Sequence, residues 1–332
     1  MMPSTRTTKR YRVEDLEEAA QRLRDGAAIA FPTETVYGLG ANALDPTAIA
    51  RVFESKGRPQ DNPLIVHVSD PTMLQRVAAN VPEIARSLIA AYWPGPLTLL
   101  LPKSNSLPPS VTAGLSTVAV RMPSDPIALE LIRRADVPIV APSANLSGRP
   151  SATTWQAVVE DLDGRIDGVV CGPATRIGVE STVLDVLHEP PRLLRHGAIS
   201  LQTLQPILPE IIDASHGSEA GHGATPPSPG MKHRHYQPKA RVEIWDGADR
   251  EGAANHDKGS RRGWIGVEAP PASVGYAKVV VCANADDYAA QLYETFRRMD
   301  QAEIDVIDCQ AVPRHGIGAA IMDRLERASS RA

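Results

Sequence analysis

The chain has 332 residues, 42% of them hydrophobic, with 35 Lys and Arg against 39 Asp and Glu, so its formal net charge is −4. That length exceeds one typical domain and suits two. No apolar run approaches the roughly 20 residues that span a bilayer, and the acidic balance offers no global field to gather nucleic acid. Cys171, Cys282 and Cys309 are far apart and form no Cys-x-x-Cys pair, which argues against a disulfide framework or a zinc site. The polar, basic start MMPSTRTTKR lacks a secretory apolar stretch, so a cytoplasmic protein with no membrane association is expected.

In chain order, residues 13–26 carry apolar positions at helical spacing and end in Gly26, which predicts a helix; 27–31 (AAIAF) predicts a strand. The alternation continues with a helix over 46–56, a strand over 64–68, helices within 71–93, strands over 97–101 and 117–123, a helix over 126–135 and a strand over 137–143. After a helix over 154–162, the runs DGVVC, STVLDVL and PRLLRHG crowd strands together without long helices, which points to a mixed sheet. From about Ile212 to Pro238 the composition turns to Gly, Ser, Pro and His with no periodicity, as in a linker. Strands over 241–246, 263–268 and 277–282, a helix over 285–300, a strand over 303–309 and a helix over 316–329 follow, in the order of a parallel, Rossmann-like sheet. The expected fold class is therefore α/β, with a mixed-sheet domain over 1–211, an interdomain linker over 212–240 and a smaller Rossmann-like domain over 241–332.

Five clusters could carry chemistry. FPTETVYGLGAN (31–42) offers Thr33, Thr35 and Tyr37 as hydroxyl donors, with Gly38 and Gly40 where backbone approaches something closely, although a tight turn with satisfied hydroxyls reads the same. SKGRPQDNPLIVH (55–67) sets Lys56 and Arg58 around Gly57 as a helix breaks, either as a solvated helix end or as cations anchored near a sheet end. APSANLSGRPSATT presents Ser143, Asn145, Ser147 and Ser151, which an ordinary helix cap also explains. RIGVESTVLDV places Glu180, Ser181 and Thr182 at the beginning of a strand, and PRLLRHGAIS places Arg195 at the end of one. Cations, neutral donors and close-approach glycines suit a polyanion. No P-loop and no Gly-x-Gly-x-x-Gly after a strand is present.

These motifs, together with the linker SPGMKHRHYQP (228–238), closely resemble the two-domain form of threonylcarbamoyl-AMP synthase, built on a YrdC-like domain. The resemblance covers the first domain almost end to end and reaches the second through YAAQLYETFRRMD and GIGAAIMDRLERAS. It implies a YrdC-like twisted mixed sheet and a nucleotidyltransferase that makes L-threonylcarbamoyl-AMP and pyrophosphate from L-threonine, bicarbonate and ATP. Magnesium is expected with ATP, with no metal site of its own assigned and no organic cofactor. The product would pass to a transferase complex that modifies the adenosine next to the anticodon of tRNA, while direct tRNA binding is left open. Lys56, Arg58, Ser143 and Asn145 are the implied catalytic residues. Lys56, Arg58, Asn62, Thr117, Ser143, Ser151, Arg195, Arg234, His235 and Tyr236 are implied for ATP, and Thr35, His67, Arg121, Ala141 and Ser181 for threonine and bicarbonate.

The chemistry makes sense of the clusters. A negative N-carboxylate must attack a negative α-phosphate, so cations must offset their repulsion. No covalent nucleophile stands out, which implies direct attack. The linker, too rich in Arg, His and Tyr for a passive tether, is expected to fold over the first domain's cleft as a lid. His216, His222, His233 and His235 fit no standard zinc spacing. Small departures from the family pattern are His196, His233 and Met322. Two other readings are a carbamoyl-transfer enzyme related to hydrogenase maturation, whose paired-Cys motifs are absent, and a non-catalytic RNA-binding module, which needs a basic groove.

Overall fold

The computed structural model describes residues 7–215, 236–247, 259–272 and 274–330. The chain begins with β1 (Lys9–Tyr11), α1 (Leu16–Arg24), β2 (Ile29–Phe31), β3 (Gly38–Asn42), α2 (Pro46–Lys56) and β4 (Ile65–His67). There follow α3 (Pro71–Val77), α4 (Glu83–Tyr92), β5 (Leu97–Pro102), α5 (Pro109–Thr112), β6 (Thr117–Arg121), α6 (Pro126–Ala135) and β7 (Ile139–Val140). The first unit closes with α7 (Trp155–Leu162), β8 (Gly168–Val170), β9 (Thr182–Asp185), β10 (Arg192–Arg195), α8 (Leu201–Leu204) and β11 (Ile212–Asp213). The second unit has β12 (Arg241–Trp245), β13 (Arg262–Gly266), β14 (Lys278–Val281), α9 (Ala285–Gln301), β15 (Val306–Gln310) and α10 (Gly318–Ser329).

The first sheet has eleven strands in the order β1-β8-β2-β3-β7-β4-β6-β5-β9-β10-β11 and mixes parallel and antiparallel pairs, as the crowded strands predicted. The second has four strands, β12-β15-β13-β14, all parallel. Local chemistry explains the main helices. Asp45 accepts from the Thr47 N–H ahead of Pro46, and Gly57 closes α2 in the left-handed conformation. Asp125, Thr154 and Asn284 cap α6, α7 and α9 in the same way.

Three strands were hidden in the sequence: β1, which pairs parallel with β8, β3 and β11. GLGAN was expected to be backbone approaching something closely or a tight turn, yet it is β3, paired antiparallel with β2. Its glycines are needed for strand packing: a Cβ on Gly40 would lie 2.7 Å from the Phe31 ring, and one on Gly38 would lie 3.0 Å from the Ala141 Cβ. β11 pairs with β10, so the first sheet runs on to Asp213, past residue 211.

The large core gathers Ile29, Phe31, Leu39, Val66, Leu99, Val120 and Val140 around the first sheet. The second core, built on Tyr288, Leu292, Phe296, Ile307 and Ile321, also includes Val36 and Val179 of the first unit and Tyr236. The two units therefore share buried apolar surface. Polar ties reinforce it: the Arg297 guanidinium of α9 grips the Asp161 carboxylate of α7 at 2.9 and 3.0 Å and donates to the Pro150 carbonyl at 2.5 Å. Among the described residues no helix is long and apolar enough to cross a membrane.

Candidate functional site

One cleft collects most of the expected residues. Thr35 comes from the β2–β3 connection, Lys56 from the end of α2, His67 from β4, Arg121 from β6, and Ala141, Ser143 and Asn145 from the exit of β7. Ser181 precedes β9, Arg195 ends β10, and Arg58, Glu180 and Tyr236 also line the cleft. His67 and Arg121 are direct partners in the parallel β4–β6 ladder, which fixes their spacing.

Lys56 is 2% exposed, and its Nζ donates to the carbonyls of Ser143 and Asn145, both at 2.5 Å. It thereby ties the end of α2 to the loop leaving β7. Arg58 donates to the Pro63 carbonyl at 3.0 Å, with its Nε unpartnered. Arg195 donates to the Ser181 carbonyl and hydroxyl, both at 3.0 Å. Burial, then the neighbouring Arg58, pushes Lys56 well below its ordinary pKa; burial draws Arg58 down to about 10 and lowers Arg195. A bound polyanion would favour the charged forms of cations lowered in this way.

The far side of the cleft is balanced differently. Arg121 lies 2.7 Å from the Glu34 carboxylate, donates to the Thr35 hydroxyl at 2.8 Å and to the Gly95 carbonyl at 3.2 Å. Burial would raise Glu34, but Arg121 outweighs it and the carboxyl is lowered overall. His67 is 3% exposed with an unpartnered Nδ1, and burial followed by Arg121 pulls its pKa to about 3. Its imidazole is neutral at ordinary pH. The cleft thus has a cationic side around Lys56, Arg58 and Arg195 and a nearly neutral polar side around Thr35, His67 and the Arg121–Glu34 pair.

Other expected contacts sit elsewhere or are already engaged. Asn62 is buried with both amide atoms unpartnered, Thr117 opens β6 at the end opposite Arg121, and neither lines the cleft. Ser151 does not line it either, since its hydroxyl donates to Glu180 at 2.6 Å. Asn145 gives its amide nitrogen to the Leu146 and Arg149 carbonyls, leaving the acceptor oxygen unpartnered. Donation from Asn145 to phosphate therefore requires this loop to rearrange. Tyr37 spends its hydroxyl on the carbonyls of Gly172 and Pro173. Arg234, His235 and the linker histidines 216, 222 and 233 lie outside the described residues.

Comparison with known proteins agrees over the whole length. Residues 21–197 match the family described as Telomere recombination, and residues 199–330 match the threonylcarbamoyl-AMP synthase C-terminal domain. A threonylcarbamoyl-AMP synthase of Pyrococcus abyssi is 44% identical over 331 residues, covering 96% of each chain. The chain belongs to the threonylcarbamoyl-AMP synthase family. A Bacillus subtilis threonylcarbamoyl-AMP synthase is likewise 44% identical, over 95% of this chain and 92% of the relative. The crystal structure of P. abyssi Sua5 complexed with L-threonine superposes with a TM-score of 0.89 at 42% identity, covering 97% of both chains.

Three residues that shape the cleft of this synthase-family chain escaped the sequence reading. Glu34 looks like one more polar residue of a turn, and Tyr293 and Arg324 look like ordinary members of amphipathic helices. Only the fold brings Tyr293 and Arg324 onto Glu180, at 3.1 and 2.8 Å. Among the described residues no group of three His, Cys, Asp or Glu could hold a metal, and Glu180, the carboxylate lining the cleft, is already paired. The described donor set does not fit a resident magnesium ion.

Proposed function

We propose that this cleft performs the synthase reaction of its family, joining L-threonine, bicarbonate and ATP into L-threonylcarbamoyl-AMP with release of pyrophosphate. The observation that carries this reading is the division of one cleft into a cationic side and a neutral polar side. Lys56, Arg58 and Arg195 suit the phosphates, with Ser143 orienting; Asn145 would join them once its loop rearranges, and Asn62, Thr117 and Ser151, which lie off the cleft, are given no direct contact. Thr35, His67, Arg121, Ala141 and Ser181 suit threonine and the carboxylate formed on its nitrogen. The relative solved with L-threonine supports the amino-acid half.

Chemistry then needs no covalent intermediate on the protein. A carboxylate oxygen of N-carboxythreonine attacks the α-phosphorus, the bond to the bridging oxygen breaks, and pyrophosphate leaves with that electron pair. The chain's part is to hold two anions together: each charge-assisted contact contributes roughly 1.5–3 kcal/mol, and three cations offset the repulsion of like charges. Neutral His67 lets the amine enter without a second positive charge beside Arg121. Magnesium would arrive on the phosphates as part of the substrate.

The domain division at 211 and 240 and a lid role for the linker belong to the same reading. Tyr236 supports it, since it lines the cleft although φ of +69° is a costly conformation for a tyrosine. Arg234 and His235 are assigned to the nucleotide with it, and unchanged ATP affinity after alanine replacement of all three would reduce the segment to a connection. Delivery of the adenylate to a tRNA-modifying transferase in the cytoplasm completes the proposal, and formation of modified tRNA with a purified transferase tests it. Pyrophosphate release that requires threonine and bicarbonate together is the expected behaviour. Salt-sensitive RNA binding without turnover would favour a binding module instead.

A further inference from the structure

None of the described residues of the second unit lines the cleft, yet one of its side chains reaches the cleft's wall. Arg324 of α10 is 0% exposed. Its Nε donates to Glu180 Oε2 at 2.8 Å, its Nη2 donates to the His196 carbonyl at 2.9 Å, and its Nη1 pairs with Asp323. The guanidinium also lies over the Tyr236 ring, 5.2 Å from its centroid, and that ring stacks on Tyr293 at 5.4 Å.

The partners of Arg324 are adjacent in sequence to the pair that matters. Glu180 precedes Ser181, and His196 follows Arg195, while Arg195 itself donates to Ser181. One guanidinium thus clamps the chain beside both members of that pair. Glu180 is otherwise held by the Ser151 hydroxyl at 2.6 Å and the Tyr293 hydroxyl at 3.1 Å.

Charge makes the clamp consequential. Burial alone would raise the Glu180 carboxyl, but Arg324 and then Arg195 hold it down to about 2, so the wall of the cleft carries a permanent negative charge. Without Arg324, the remaining strong cation near Glu180 is Arg195. A carboxylate paired with Arg195 withdraws that cation from phosphate and repels phosphate as well.

We propose that Arg324 is a positioning residue for the nucleotide: by neutralising Glu180 and anchoring the His196 carbonyl, it keeps Arg195 available to ATP, and this is the second unit's contribution to the site. The inference rests on the synthase reading, with Arg195 at the phosphates.

The test is ATP affinity by titration calorimetry on full-length variants, beside KM values for ATP and threonine. Arg324→Met is expected to weaken ATP binding by about tenfold or more while the threonine KM changes less than about threefold. Arg324→Lys, which keeps the charge, should lose less than Arg324→Met. The double variant Glu180→Gln with Arg324→Met, in which Glu180 carries no charge and Asp323 keeps Arg327 at 3.0 Å, should recover to within about threefold of wild type. That variant also serves if Arg324→Met alone does not fold. Unchanged ATP affinity in folded Arg324→Met, equal losses for ATP and threonine, or a double variant still weakened about tenfold would each overturn the proposal. Wild-type pyrophosphate release, run alongside, reports on the synthase reading independently.

Discussion

His67 shows how far a single side chain's environment departs from what its sequence context suggests. In IVH it reads as the polar end of a strand, but it is buried beside Arg121 with a pKa near 3. The sign of the pH dependence follows. The unfolded chain takes up a proton near pH 6.5 and the folded chain does not, so this stability is present above about pH 6.5 and is lost as pH falls toward 3. Between pH 7 and pH 5 the loss is about 2 kcal/mol. Denaturant unfolding should register it, and His67→Asn should flatten the curve in that window; an unchanged slope would contradict the assignment. Lys56 and Arg58 were legible from sequence as two cations meeting where a helix breaks, and Arg195 through the family resemblance. Glu34 was not legible, because its partner Arg121 lies on a strand far along the chain.

Helices were the readable elements, since capping side chains and apolar spacing act within a few residues. Asp45, Pro46 and Gly57 mark both ends of α2, and Asp125 with Pro126 marks the start of α6. Strands without an apolar run were not readable in this way: β3 is rich in glycine and β11 is the exposed pair Ile212–Asp213, so pairing with neighbours rather than propensity makes them strands. The same packing makes β3 fragile. Gly40→Ala puts a Cβ against the Phe31 ring at 2.7 Å and close to Ile139 and the Ile29 carbonyl, at 3.1 Å each. Calorimetry should find a destabilisation of about 1–3 kcal/mol, as for other overpacked cores. A melting temperature within a degree of wild type would argue against so tight an approach.

At the scale of the whole molecule, the order of two α/β units was legible, but their joining was not, because it depends on contacts between residues more than a hundred positions apart. Arg297 to Asp161 and Arg324 to Glu180 are buried pairs across that junction, and Val36 and Val179 pack into the second core. Arg297→Met should cost about 1–3 kcal/mol rather than the full penalty of a stranded carboxylate, since Arg149 stays 2.6 Å from Asp161. A loss below about 0.5 kcal/mol in denaturant unfolding would mean that the junction does not depend on it. The junction also gives the second unit a part in the cleft: its helices complete the wall that carries Glu180 and Tyr236. If one electrostatic cleft joins three small molecules without attaching any of them to the protein, the product carries the proof. Purified protein given ATP, L-threonine and 13C-bicarbonate should form threonylcarbamoyl-AMP containing one 13C atom, with pyrophosphate in equal amount and no labelled protein. An adenylate lacking the label, a covalent protein adduct, or ATP hydrolysis indifferent to threonine would contradict it.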